Sequence, residues 1–350
     1  MPEFEGVSRR NVLKAAGAAG ALGLAGCLGD GSDHTVTIAS TSSGSSSYEA
    51  GQALAYAANQ ESDLVDVSVQ TSEGWTANAH EFDAGDFSSV AIDNNSMSKA
   101  IDGEGPFEDE PVDELPMQGF IFTSLEMFWV ALDGSGIEST ADLRDGGYDI
   151  YPIEPGFGTN LLTMEILEED GIIEANDVNE QNTTDIAGAV EEDRVDARVL
   201  YGSNRVQLAS WCTEVDVRSD GDLYAIETDD HFEETLESVD GARIDRFEPY
   251  GFEQDITSEL GIDEVTSWVL DGQWAFGPDV PAEATYELAR IAHEHHETMR
   301  ESDESTLDFG DPEVFTNAIM PDHEVHPGVA EFLQDQDVWN DEWTEGETDE

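Results

Sequence analysis

Hydrophobic positions along this chain follow two alternating rhythms. Short β-rich runs occur at 35–39 (TVTIA), 65–71 (VDVSVQT) and 88–93 (SSVAID). Between them the apolar residues take helical spacing: residues 48–60 place Ala53, Leu54, Ala57 and Ala58 on one face, and 75–85 predict a second helix ended by Gly85. Strand and helix in alternation predict a parallel α/β sheet, with ligands bound beyond the carboxyl ends of its strands.

Two longer apolar runs, 119–133 and 264–278, interrupt that rhythm. Between them lies another α/β series: a strand at 148–154, a Gly turn, a helix at 159–170, then strands at 196–202 and 222–227. A second lobe inserted into the first, joined by two long crossing strands, explains the layout. Residues 34–132 and 229–340 would form lobe 1 and 133–228 lobe 2, with the hinge at 128–134, 264–274 and a return near 228. Helices over 282–300 and 328–338 follow, then a solvated acidic tail at 341–350.

Composition changes the picture in one respect. The 350 residues carry 80 acidic against 13 basic side chains, a net charge of −67. Nucleic acid is thereby excluded as a partner, because phosphate binding needs a basic face. With 39% hydrophobic residues the chain still builds a core, so the charge points to folding in concentrated salt, where the Debye length falls to about 3 Å and self-repulsion is screened.

Residues 8–27 read SRRNVLKAAGAAGALGLAGC. Arg9 and Arg10 followed by a short Gly/Ala-rich stretch resemble a twin-arginine export signal, too short and too weakly apolar to span a bilayer. Leu24 to Cys27 resemble a lipobox, so residues 1–27 are read as signal plus lipidation site at Cys27, and 28–33 as a tether. Cys212 is the one other cysteine and is read as a small buried hydrophobe.

The order of motifs resembles the TAXI family of extracytoplasmic solute-binding proteins that serve TRAP transporters. The matching segments are IASTSSGSSSYEAGQALA, AGDFSSVAIDNN, SGIESTADLRDG, EPGFGTN, VDARVLYGSN and EVHPGVAEFLQDQDVW. The family implies a two-lobed, periplasmic-binding-protein type II-like α/β fold that closes on a small solute, with no cofactor and no catalysis. Its implied partners are an organic acid or amino acid, the TRAP membrane subunits, and the membrane through a lipid anchor. Here first-loop glycines and threonines are mostly serines, Asp93 stands where the family often has Gln, and Phe157 interrupts the second Gly turn. With the charge and signal, the expectation is a haloarchaeal receptor at the outer face of the cell membrane.

Within that frame two turns stand out. Ser43, Gly44, Ser45, Ser46 and Ser47 precede a helix beginning near Tyr48, and Gly156, Phe157, Gly158, Thr159 and Asn160 repeat the arrangement on the other lobe. A helix N-terminus offers free N–H groups and partial positive charge, so it holds a carboxylate without a basic side chain; the same serines also serve as plain helix caps. Asp93, Asn94 and Asn95 end a strand at the cleft edge, where Asp93 is placed to accept a solute ammonium. Tyr201, Ser203, Asn204, Arg205 and Tyr250 complete the expected polar contacts, with Arg205 equally readable as an acid-paired surface arginine. Phe157, Tyr250 and Trp268 are candidate walls, Trp268 also reading as core.

Two other chemistries are weaker. No G-x-S-x-G elbow supports a hydrolase. The run AHEHHETM at 292–299 puts His293 and His296 at i, i+3, but His296 comes one place early for H-E-x-x-H, so a solvated helix face is the simpler reading. An ABC importer is the alternative transporter for the same fold.

Overall fold

The computed structural model describes residues 34–349 apart from Gly44, Gly156, Asp193 and Asp240. The stretch read as an export signal, Cys27 and residues 28–33 lie outside the described residues. The chain opens with β1 (His34–Ala39), α1 (Ser46–Glu61), β2 (Val65–Gln70), α2 (Trp75–Asp83), β3 (Ser89–Asp93) and α3 (Asn94–Asp102), then crosses in β4 (Met117–Leu132). A second series comprises α4 (Thr140–Asp145), β5 (Asp149–Tyr151), α5 (Gly158–Asp170), α6 (Ile172–Ala175), β6 (Asp177–Val178), α7 (Thr183–Glu191) and β7 (Ala197–Ser203). It continues through β8 (Gln207–Leu208), α8 (Ser210–Arg218), β9 (Leu223–Ala225), α9 (Asp230–Ser238) and β10 (Arg243–Phe247) before β11 (Val265–Phe276) crosses back. The chain finishes with α10 (Ala282–Glu294), α11 (His296–Ser302), β12 (Glu324–Val325), α12 (Pro327–Asp335) and β13 (Thr344–Glu345).

One mixed sheet runs through the molecule in the order β2-β1-β3-β11-β4-β7-β5-β6. Within each half the strands are parallel: β1 with β2 and β3, and β5 with β6 and β7. The crossing strands are antiparallel to each other and to their neighbours β3 and β7. Every residue of β4 is buried, as expected of a strand covered on both faces. Register shifts of β11 against β4 near Gly272 and Gln273 bend the ribbon where it passes from one half to the other.

Helices cover both faces of each half. One core gathers β1, β2, α1, α10 and α12 around Trp274 and Phe332, with a smaller one under α2 and α3. The second half has a core beneath α5 and α9 and another beneath α7 and α8. Phe232 and Leu236 of α9, and Ile256 beyond β10, pack into those second-half cores. The chain thus stays with the second half until β11, past the return near residue 228 read from the pattern, because the apolar face of α9 finds its cover there.

Several polar residues near the middle of the crossing strands find partners on adjoining strands and loops. Ser124 Oγ donates to Asp271 Oδ1 (2.5 Å), and Arg243 holds both Asp271 oxygens at 2.7 and 2.9 Å. Asn204 Oδ1 accepts from Ser124 N (2.7 Å), while its amide reaches Ser305 O (2.7 Å). Thr123 and Ser203 hydroxyls lie 3.1 Å apart. Arg205 pairs with Asp245 and lies over the Phe247 ring. The Tyr250 hydroxyl donates to Glu126 (2.6 Å), and its ring rests on Gly202, where a Cβ would overlap the hydroxyl. Burial pushes the Glu126 carboxyl up to about 7, opposed by Tyr250 and Arg205.

Two outcomes follow. Gly202→Ala should destabilise the chain by about 1–3 kcal/mol, since Tyr250 must move; a denaturation midpoint equal to wild type would show that Tyr250 does not occupy that place. Glu126 binds its proton more tightly in the folded than in the unfolded chain, so its stabilisation is complete at low pH and is lost as pH rises towards 7. Relative to Glu126→Gln, wild type should therefore lose on the order of 3 kcal/mol between about pH 4.5 and 7. Parallel pH profiles for the two proteins would refute this assignment.

Candidate functional site

The segments after β2 and β3 bring Trp75 and Asp93 to the first turn of α5, the helix that follows β5. The starts of α2, α3 and α5 therefore lie near one another on a seam between the halves. At its centre lies the N-terminus of α5. A Cβ built at Gly158 would come 3.5 Å from Leu270, 3.6 Å from the Trp75 ring and 3.7 Å from Asp93 Oδ2. First-half residues Trp75 and Asp93 thus touch the first turn of a second-half helix, and Trp75 packs against cores of both halves.

Three polar atoms at this seam are buried without a hydrogen-bond partner: Trp75 Nε1, Asp93 Oδ2 and Thr159 Oγ1. Asp93 uses Oδ1 to cap α3 through Ser96 N (2.8 Å), leaving Oδ2 at the Gly158 side. Burial raises its pKa, against hydrogen bonds from Ser96 that favour the charged form. Buried polar groups are nearly always paired, so these two donors and one acceptor, like Trp129 Nε1 and Tyr151 Oη elsewhere in the fold, are exceptions.

The serine loop is engaged differently. Ser45 caps α1 by accepting from Tyr48 N (3.2 Å), Thr41 Oγ1 donates to Ser45 Oγ (2.6 Å), and Ser47 Oγ lies 3.0 Å from Thr41 Oγ1. Its hydroxyls therefore serve one another and the helix; Ser43 is exposed, Ser46 half-buried, and Gly44 lies outside the described residues. Tyr48 lines a groove of about 340 Å³ with Glu49, Gln52 and residues 302–304, on the α11 side of α1.

In the second turn Asn160 is absorbed by the fold, donating to the Pro152 and Ile153 carbonyls at 3.0 Å each, and Phe157 is exposed. Gly156 lies outside the described residues. Asn94 accepts from buried Gln273 (2.9 Å), while Asn95 donates to Glu165 across the seam (3.1 Å). Ser203, Asn204, Arg205 and Tyr250 belong to the hinge set described above, and Tyr201 packs on Trp211. Trp268 is fully buried with its indole donating to Thr163 (3.0 Å), a core residue rather than a cleft wall.

Sequence reading missed Trp75, which opens a helix whose pattern makes it look like ordinary core. The signal was its position immediately after the Glu73–Gly74 turn that follows β2, at a carboxyl strand end. The histidine run is interrupted: α10 stops at Glu294 and α11 starts at His296. There His293 Nδ1 meets Phe309 O (2.7 Å) and His295 pairs with Glu61 (3.4 Å). Among the described residues no group of three or more His, Cys, Asp or Glu is placed to hold a metal.

The model of the NMT1-like family matches residues 38–336, and the chain belongs to that family. No curated protein matches it. Solved structures with partial likeness include a TctC solute binding protein from Polaromonas, 10% identical with a TM-score of 0.47 over 78% of this chain and 89% of that one. The periplasmic aliphatic sulphonate binding protein SsuA from Escherichia coli is 11% identical, with a TM-score of 0.39 over 79% and 76%. The L-cystine solute receptor of Neisseria gonorrhoeae is 12% identical, with a TM-score of 0.39 over 80% and 95%. Among the described residues no helix is long and apolar enough to cross a membrane.

Proposed function

We propose that this NMT1-like chain is an extracytoplasmic solute receptor that binds a small organic acid or amino acid between its halves and delivers it to a TRAP-type membrane transporter. One observation carries the reading: Trp75 Nε1, Asp93 Oδ2 and Thr159 Oγ1 remain open where the α5 N-terminus meets the opposite half. The α5 amides and the Thr159 hydroxyl take the carboxylate, and Asp93 takes an ammonium or hydroxyl of the solute. Hinge movement about β4 and β11 encloses it, and preference of the solute for the closed form shifts the population without breaking any bond. Twin-arginine export and lipidation at Cys27 keep the receptor at the outer membrane surface beside its permease.

The test is a thermal-shift screen of amino and carboxylic acids in molar salt. A solute at 100 times its Kd should stabilise the chain by about 2.7 kcal/mol. Asp93→Asn and Thr159→Ala should each weaken that solute at least tenfold, since losing one hydrogen bond to a charged group amounts to about 1.5–3 kcal/mol. A full panel without a shift would overturn the receptor reading. Unchanged affinity in both variants would move the site elsewhere. Reconstitution with TRAP or ABC membrane subunits distinguishes the two transporter classes.

A further inference from the structure

Lys99 is the sole lysine among the described residues, and its position is unusual for so acidic a chain. It stands in α3 of the first half, and its Nζ lies 2.7 Å from Glu165 Oε2 of α5 in the second half. Asn95, one turn earlier, donates to the same oxygen at 3.1 Å. The Lys99 side chain is 10% exposed and that of Glu165 33%, so the pair is only partly screened by solvent.

Two glycines make room for this contact. Gly105, with φ +54, lies so close to the lysine stem that a Cβ there would be 3.2 Å from Lys99 Cδ. Gly241, with φ +78, lies against the first turn of α3, where a Cβ would be 2.6 Å from Asn95 Cα. Helix α3 is therefore gripped between α5 and the loop after α9, both second-half elements.

Around the pair runs a groove of about 660 Å³ between the halves. Its first-half edge carries Asp102 and Glu104, and its second-half edge carries Glu165, Glu168 and Glu169. Carboxylates thus face carboxylates across the seam, and Lys99 is the single cation lining the groove between them.

We propose that Lys99 and Glu165, with Asn95, form a latch, a short and largely desolvated ion pair that joins the two halves across an acidic seam. Its role in solute capture rests on the receptor reading above, but the latch itself is tested without any solute. Small-angle scattering of the full chain in molar salt reads the separation of the halves directly. Wild type should match the compact structure, Lys99→Glu should scatter as a more extended molecule, and Lys99→Glu combined with Glu165→Lys should return toward wild type. Should Lys99→Glu fail to fold by circular dichroism, Lys99→Gln and Glu165→Gln replace it. Each should open the molecule, and the double variant should open it no further than either single one.

Where a binding solute is found, loss of the latch should weaken it by about three- to tenfold, in step with the reduced closed fraction. Scattering unchanged in Lys99→Glu and Lys99→Gln, or a charge swap that restores nothing, overturns the latch. Failure of every solute to bind wild type overturns the receptor reading while leaving the scattering result intact, so the two ideas fail separately.

Discussion

Strands β4 and β11 lie antiparallel from Met117 to Met127 and from Phe276 to Trp268, with β4 buried along its whole length. Because both strands belong to the cores of both halves, any relative motion of the halves must bend or twist this ribbon. The side chains it carries explain how such a ribbon tolerates polarity. Ser124, Asp271 and Arg243 form one bonded group, and Glu126 is matched with Tyr250. A buried carboxylate without such partners would be expelled or protonated. Glu126, whose carboxyl is pushed up to about 7, stands at that boundary.

Hinge and seam treat polar groups in opposite ways. At the hinge Ser124, Asp271, Arg243, Asn204 and Glu126 all find partners, although Trp129 Nε1 and Gln273 Oε1 of the same strands do not. At the seam Asp93 and Thr159 keep an oxygen apiece, and Trp75 its indole N–H, without a partner. An interior can hold such groups open only where a guest completes them or where desolvation is offset by packing elsewhere. The leucine, tryptophan and glycine surfaces around them supply that packing. Charge is also grouped locally: Arg144 holds the buried Asp170 carboxylate together with half-buried Asp229.

Much of the architecture was legible. Period-two and period-3.6 patterns placed β1, β2, β3, α1 and α5 within a few residues of their positions, and unbroken apolar character singled out β4 and β11. A strand buried on both faces has no polar alternation, so the run itself is the signal. Asp93 was legible as the last residue of a strand, and Gly158 as the start of a helix. The partners of Asn204 and Tyr250 were not, while Arg205 was readable either as a solute contact or as the acid-paired arginine it is. Polar residues after a strand look alike whether they face a solute or a neighbouring strand, and only the partners Ser124, Asp245 and Glu126 tell them apart. Trp75 was hidden for a related reason: an aromatic in an amphipathic helix carries no mark of which core it joins.

By itself, then, the order of residues determined what is local or additive: the period of each element, the caps and the sum of charges. Those properties depend on neighbours within a few positions or on simple counts. Which half claims α9, which donors are left open beside Gly158, and that Lys99 meets Glu165 were decided by tertiary structure. These are relations between atoms far apart in sequence, 70 residues in the Asn95–Glu165 hydrogen bond, and they exist only once two crossing strands have brought separate segments to one seam.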